Sequence, residues 1–179
     1  MRSFRQILRG FFSIRRHLIM KKAINLSLSE SGDSSLVLER IENFSDLIDG
    51  TYSVKVQTKI ISQNWGKCDT FILKEREKTI GILSIMYKGG NELEYKIRDI
   101  EAFLYNVMII PEYRGQGYFH KMLSKLEQQL VTFSIKNIYL AVSTDNESAI
   151  KAYEKNNFTV VDYKIFIRFL KKNLPYYVL

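Results

Sequence analysis

The sequence predicts an α/β domain, and three observations carry that reading. The run from Ile100 to Ile110 is rich in β-branched and aromatic residues, stops at Pro111, and passes into the loop PEYRGQGY with glycines at 115 and 117. Beyond it, Phe119, Met122, Leu123, Leu126, Leu130 and Phe133 recur at spacings of three and four. Lys121, Ser124, Lys125, Gln128 and Gln129 take the other side, so the segment is an amphipathic helix. The alternation then repeats, with a short apolar strand from Ile138 to Val142 followed by STDNESAIKAYEKNNF, whose Ala149, Ile150 and Tyr153 make the buried side of a second helix.

With 179 residues and 46% hydrophobic content, the chain is long enough for one well-buried domain. We read it as a basic segment over 1–22 and a single domain over 23–179. The basic segment holds Arg2, Arg5, Arg9, Arg15, Arg16, Lys21 and Lys22 and no acid, while the remainder is nearly neutral; the net charge of +8 is therefore concentrated at one end. Phe4, Ile7, Leu8, Phe11, Ile14 and Leu18 could line one side of a helix lying on an anionic membrane or against an acidic partner. Gly10 and Ser13 interrupt that pattern. They favour a second reading, a helix followed by an extended segment from His17 to Ala23 docked on the domain. A nucleic-acid module would interleave stacking aromatics with the charges, and no such pattern is present, so no nucleic-acid partner is expected.

The elements between this segment and the loop follow in order. Ser35 to Arg40 is a strand, Asn43 to Gln63 holds one or two helices, and Thr70 to Lys74 and Thr79 to Tyr87 are strands around a turn at Glu75 to Lys78. Gly89, Gly90 and Asn91 mark a further turn. After Phe158 the apolar residues continue to Leu170 with Lys164 and Arg168 interspersed, read as strands, and the final PYYVL either pairs with a second subunit or trails. The single cysteine, Cys68, excludes an internal disulfide and reads as a small hydrophobe near the start of a strand. No apolar run approaches the roughly 18 residues of a membrane span, and the N-terminus lacks the apolar block of a signal peptide; a cytoplasmic location is expected.

The loop carries the chemistry. A strand that ends in a basic residue and two glycines before a helix aims backbone N–H groups at one spot beside the positive end of a helix dipole, which suits a phosphate. Two common phosphate motifs do not fit. A dinucleotide fingerprint needs a third glycine where His120 stands, and a P-loop needs Gly-Lys-Ser or Gly-Lys-Thr after a four-residue gap. Arg114, Gly115, Gln116, Gly117, Tyr118 and Phe119 instead resemble the R-x-x-G-x-G/A segment of the Gcn5-related N-acetyltransferases, the GNAT superfamily, approached by that family's V-x-x-P-E-Y. Asn146, Ala149, Tyr153 and Phe158 are similar to its second pattern, N-x-x-A-x-x-x-Y-x-x-x-G-F. The resemblance covers about residues 70–163. Two departures stand out. Asn157 replaces a glycine, at little cost because asparagine tolerates the left-handed conformation of a helix C-cap. Phe119 replaces a glycine or alanine beside the expected cofactor, and its place on the apolar stripe turns its side chain toward the core.

The resemblance implies a GNAT-like acyl-CoA N-acyltransferase fold, a central mixed twisted sheet flanked by helices. It also implies acetyl-CoA as co-substrate, bound along a gap between the strands ending near Ile109 and Val142. Backbone groups of Val107, Met108 and Ile109 would bond the pantetheine and the thioester oxygen. Arg114 and the amides of Gly115, Gln116, Gly117, Tyr118 and Phe119 would hold the pyrophosphate. Asn146 would reach the pantetheine or organise the gap, or only cap its helix. Tyr153 stands where relatives place the hydroxyl that protonates the leaving sulfur; the alternative is a core tyrosine. Glu101 and Tyr105 are candidate bases, neither compelling, and Thr144 and Glu147 have capping-box spacing. His120 reads as a solvent-facing helix residue and His17 has no companion for a metal, so no metal is expected. The acceptor would be a primary amine: an amino sugar, amino acid, polyamine, antibiotic, or protein N-terminus or lysine. Two other functions remain open, a non-catalytic acyl-CoA or protein-binding module and a membrane-surface acyltransferase.

Overall fold

The computed structural model describes residues 12–24, 35–42, 68–87, 91–92 and 95–169. Strands β1 (Phe12–Ala23), β2 (Leu36–Arg40), β3 (Asp69–Glu75), β4 (Lys78–Tyr87), β7 (Glu101–Ile109), β8 (Asn137–Ser143) and β9 (Thr159–Phe169) form one sheet, in the order β2-β3-β4-β7-β8-β1-β9. A two-stranded ribbon, β5 (Asn91–Glu92) with β6 (Tyr95–Lys96), stands apart. Helices α1 (Tyr118–Thr132) and α2 (Glu147–Lys155) follow β7 and β8, and a 3-10 turn, Pro111–Tyr113, links β7 to the glycine loop. β7 and β8 run parallel, while the other neighbours in the sheet are antiparallel. The mixed sheet flanked by helices is the predicted class.

Local chemistry accounts for the boundaries. β7 ends where Pro111 starts the 3-10 turn, since proline brings no N–H to a ladder. Met122, Leu123, Leu126 and Leu130 are the buried stripe of α1 and pack with Leu73, Ile80, Leu83, Leu104, Leu140 and Phe158 into the main core. The end of the predicted stripe differs. Phe133 caps the helix, stays 49% exposed and stacks on Tyr87 at 5.9 Å. α2 is capped by Asn146, whose Oδ1 accepts from the Ala149 amide at 3.2 Å, in place of the Thr144 cap that the spacing suggested. It stops at Asn156, and Asn157 takes φ +65° as the C-cap argument requires. A second apolar cluster, Ile19, Met86, Ile97, Phe103 and Tyr139, forms around alternate positions of the same strands.

The main correction concerns the N-terminal segment. His17 to Ala23 is extended and docked on the domain, as the second reading has it, but the strand starts earlier, so Ile14 and Leu18 belong to β1 and not to an amphipathic helix, and β1 is inserted between β8 and β9. Met20 joins the main core while its neighbour Ile19 joins the second cluster. With both sides apolar there is no clean alternation to read, and the interspersed Arg15, Arg16, Lys21 and Lys22 imitate a helical charge pattern. Lys22 pairs with Glu127 of α1, and Lys21 lies over the Tyr139 ring, so part of the basic charge is used inside the fold. Residues 1–11, Asn43 to Gln63, Gly89, Gly90 and PYYVL, for which the sequence carries expectations, lie outside the described residues.

Candidate active site

The parallel pairing of β7 with β8 runs only from Glu101↔Asn137 to Leu104↔Leu140. Beyond that point β7 stays with β4 up to Ile109, and β8, paired with β1 along its whole length, continues with β1 alone through Leu18↔Val142 and His17↔Ser143. The two parallel strands therefore part toward their C-terminal ends, and the glycine loop stands just past β7. The start of the divergence coincides with a bulge. Between the Ser84↔Tyr105 and Ile82↔Met108 pairs β7 carries one residue more than β4, and Asn106 takes φ +53° there.

The bulge and the ladder decide which backbone groups face the opening. The Ile110 amide donates to the Ile80 carbonyl at 2.9 Å, which places Ile110 on the β4 side. Backbone groups alternate along a strand, so Met108 also faces β4, and Val107 and Ile109 face the edge that β8 has left. A Cβ on Gly81 would lie 2.8 Å from the Met108 carbonyl oxygen, in agreement. Of the three residues expected to offer amides to the opening, Met108 is thus directed elsewhere, because strand periodicity assigns adjacent amides to opposite neighbours.

The loop itself is built on positive φ. Gly115 and Gly117 stand at +74° and +81°, a region L side chains rarely adopt, and a Cβ on either would meet nothing within 4 Å. The glycines are thus required by conformation, and the space above them is open. The first intrahelical donor of α1 is Lys121, onto the Gly117 carbonyl at 3.2 Å. Among the described residues, the amides of Gly115, Gln116, Gly117 and Phe119 donate to no backbone carbonyl, and no side chain caps the helix. An anion beside them would meet unpaired donors and the helix dipole together.

The side chains of the loop are placed as follows. Arg114 is exposed and donates from Nε to the Ile109 carbonyl at 2.9 Å, so its guanidinium lies along the β7 edge at the opening. Gln116 donates to the Glu112 carbonyl at 2.8 Å and braces the turn. Tyr118 turns toward the β3–β4 hairpin, its hydroxyl 3.4 Å from Glu75 Oε1, its ring edge-on to Tyr113 and beneath Lys121 Nζ. Phe119 meets the Tyr153 ring at 5.5 Å, edge to face, and packs on the main core. The bulky residue at the position of concern is therefore directed inward.

Tyr153 is held between Phe119 and Phe158, and burial pushes its phenol up to about 12. Val107, Ile109 and Tyr153 pack against the same core cluster, on the side of the sheet that carries α1 and α2. Asn146 has its carboxamide oxygen committed to the N-cap of α2 and to Ser148 Oγ at 3.1 Å. The candidate bases fare differently. Glu101 is fully buried at the start of β7, the end remote from the loop, where Arg98 Nε donates to it at 2.8 Å; it is a structural ion pair. Tyr105 packs on the second cluster. His120 is exposed, as expected, and its Nδ1 lies 2.8 Å from Asn156 Oδ1. Among the described residues no three metal-ligating groups gather. Asn106, at the bulge beside the opening, was not singled out from the sequence, although it is the one asparagine between Ile100 and Ile110.

These features define an α/β protein with a strand–glycine loop–helix junction next to a pair of splayed parallel strands. The profile of the acetyltransferase (GNAT) family matches residues 38–158, and the chain belongs to that family. Among curated relatives, an uncharacterised N-acetyltransferase of Bacillus subtilis, YycN, is 36% identical over 62 residues, 35% of this chain and 40% of that protein. An acetyltransferase of Pectobacterium atrosepticum is 34% identical over 58 residues, 32% and 41% of the two chains. This chain thus spans about two fifths of the length of the curated relatives it matches. A GNAT-family structure from Novosphingobium aromaticivorans superposes with a TM-score of 0.58 at 16% identity, covering 88% of this chain and 64% of that one. A tandem GNAT protein from the clavulanic acid biosynthesis pathway gives 0.61 at 14%, covering 90% and 55%. At such identities the likeness concerns the fold. Among the described residues no helix is long and apolar enough to cross a membrane.

Proposed function

We propose that the protein is an N-acetyltransferase that moves an acetyl or other short acyl group from coenzyme A to a primary amine. The observation that carries this reading is the parting of β7 from β8 immediately beside a glycine loop whose amides lack backbone acceptors. The donor set fits coenzyme A. Arg114 and the amides of Gly115, Gln116, Gly117 and Phe119 would hold the pyrophosphate, and the edge amides of Val107 and Ile109 would bond the pantetheine and the thioester oxygen. Acyl-coenzyme A supplies an activated carbonyl. Attack by the neutral amine forms the N–C bond and breaks the C–S bond. The phenol of Tyr153, fully protonated at neutral pH, gives its proton to the departing sulfur; the surplus proton of the amine passes to water, and Tyr153 is reprotonated from solvent.

Calorimetric titration with acetyl-coenzyme A, with ATP as the control ligand, tests the binding half. The wild-type protein is expected to bind acetyl-coenzyme A, and Gly117→Trp, which fills the open space over the loop, to lose that binding while remaining folded by circular dichroism. Tyr153→Phe is expected to bind normally and to lose roughly a hundredfold or more in turnover against a panel of primary amines. No binding by the wild type would refute the assignment.

A further inference from the structure

A short polar string crosses the sheet at the bulge. Thr70 on β3 and Ser84 on β4 are buried, 4% and 0% exposed, with their hydroxyl oxygens 2.8 Å apart. Asn106 on β7 approaches the same Ser84 oxygen with Nδ2 at 3.4 Å. With the carboxamide turned this way, its other atom, Oδ1, is buried and accepts no hydrogen bond. A buried carbonyl-type oxygen left without a donor has lost its hydration with nothing in return, which is destabilising. The backbone there takes φ +53°, a conformation that asparagine tolerates and most other side chains avoid. A bulged backbone and an unmet acceptor thus coincide at one residue, at the point where β7 leaves β8.

Ser84 and Thr70 belong to the strand positions whose neighbours Ile72, Ile82 and Met86 avoid the main core, so Asn106 reaches the side of the sheet opposite α1 and α2. Tyr153 and the glycine loop approach from the helix side. A coenzyme A held at the loop and passing between the strands would bring its thioester to the bulge from that side, leaving the amine to come from the other. We propose that Asn106 Oδ1 is the hydrogen-bond acceptor for an N–H of the incoming amine, with Ser84 and Thr70 holding the carboxamide in place. This deepens the acetyltransferase reading and rests on it. The chemistry suits the task. One N–H is tied back, the nitrogen lone pair is left for the carbonyl carbon, and an amide oxygen, being uncharged, binds the neutral amine that attack requires.

Three proteins test this: wild type, Asn106→Gly and Asn106→Asp. Glycine accepts the positive φ, so it removes the carboxamide without backbone strain; aspartate keeps an oxygen at the same place. Acetyl-coenzyme A affinity by calorimetry is expected to stay within twofold in both variants. With the amine that the wild type acetylates best among glucosamine, spermidine, lysine and a peptide N-terminus, Asn106→Gly is expected to lose tenfold to a hundredfold in kcat/KM, chiefly through KM. Asn106→Asp is expected to recover at least tenfold of that loss. The glycine variant should also melt no lower than the wild type, since it discards an unmet buried acceptor. Unchanged kcat/KM with a melting temperature lowered by several degrees would make Asn106 a structural bulge residue and overturn the proposal. If the wild type acetylates none of these amines, the melting comparison alone decides in the same sense. Failure of the wild type to bind acetyl-coenzyme A is a different result, which refutes the enzyme reading itself.

Discussion

Single side chains at this site are explained by what burial does to a polar group. Tyr153 loses solvation between Phe119 and Phe158, and its phenol rises from 10.0 to about 12. The folded protein therefore holds a proton that the unfolded chain has released between pH 10 and 12. Stability from this source is complete below pH 10 and is lost as the pH rises toward 12. Tyr87 is raised to about 12 as well, first by burial and then by its hydrogen bond to Asp69, and acts in the same direction. The wild-type melting temperature is expected to fall more steeply across pH 10 to 12 than that of Tyr153→Phe, which retains only the Tyr87 part; identical slopes would mean that Tyr153 is solvated. The position of Tyr153 was legible from a tyrosine four residues after Ala149 on a helix. The capping role of Asn146 was legible only as an alternative, because an asparagine at a strand–helix junction suits a cap and a ligand equally.

At the level of elements, a few backbone irregularities shape the site. The bulge in β7 separates the backbone groups paired with β4 from those facing the opening. Gly81 lets the two strands close just beyond it. An added Cβ would stand 2.7 Å from Ile109 Cδ1 and 2.8 Å from the Met108 carbonyl, and the latter is backbone that cannot rotate away. Gly81→Ala is expected to cost about 1–3 kcal/mol, seen as a lowered denaturation midpoint at unchanged m-value. A midpoint equal to wild type would show that the β4–β7 spacing relaxes freely. The helix α1 was readable because it has one polar and one apolar side, and the two strands before the helices because each is a short apolar run rich in β-branched and aromatic residues. The bulge was not, since one extra residue in a strand leaves hydrophobicity almost unchanged and shows only in the partner's register. A surface groove of about 470 Å³ between β2 and the C-terminal half of α1, lined by Leu36, Val37, Gln128 and Phe133, lies at the other end of the helix from the glycines and takes no part in this chemistry.

For the whole molecule, the insertion of β1 between β8 and β9 has the largest consequence. It joins the start of the described chain to its end and places Met20, fully buried, in the main core. Met20→Ala is expected to destabilise by roughly 2–5 kcal/mol, and deletion through residue 23 to abolish the cooperative unfolding transition seen by calorimetry. A deletion variant that still melted cooperatively would make β1 an accessory strand. The glycine loop, the amphipathic helix behind it, the second strand–helix unit and the family they mark were determined by the sequence alone. Each is local, and its periodicity or turn chemistry is written in consecutive residues. The place of β1 in the sheet, the parting of β7 from β8 and the unmet oxygen of Asn106 were decided by the tertiary structure. Each depends on which distant segment lies alongside, and strand partners far apart in the chain leave no periodic mark on one another.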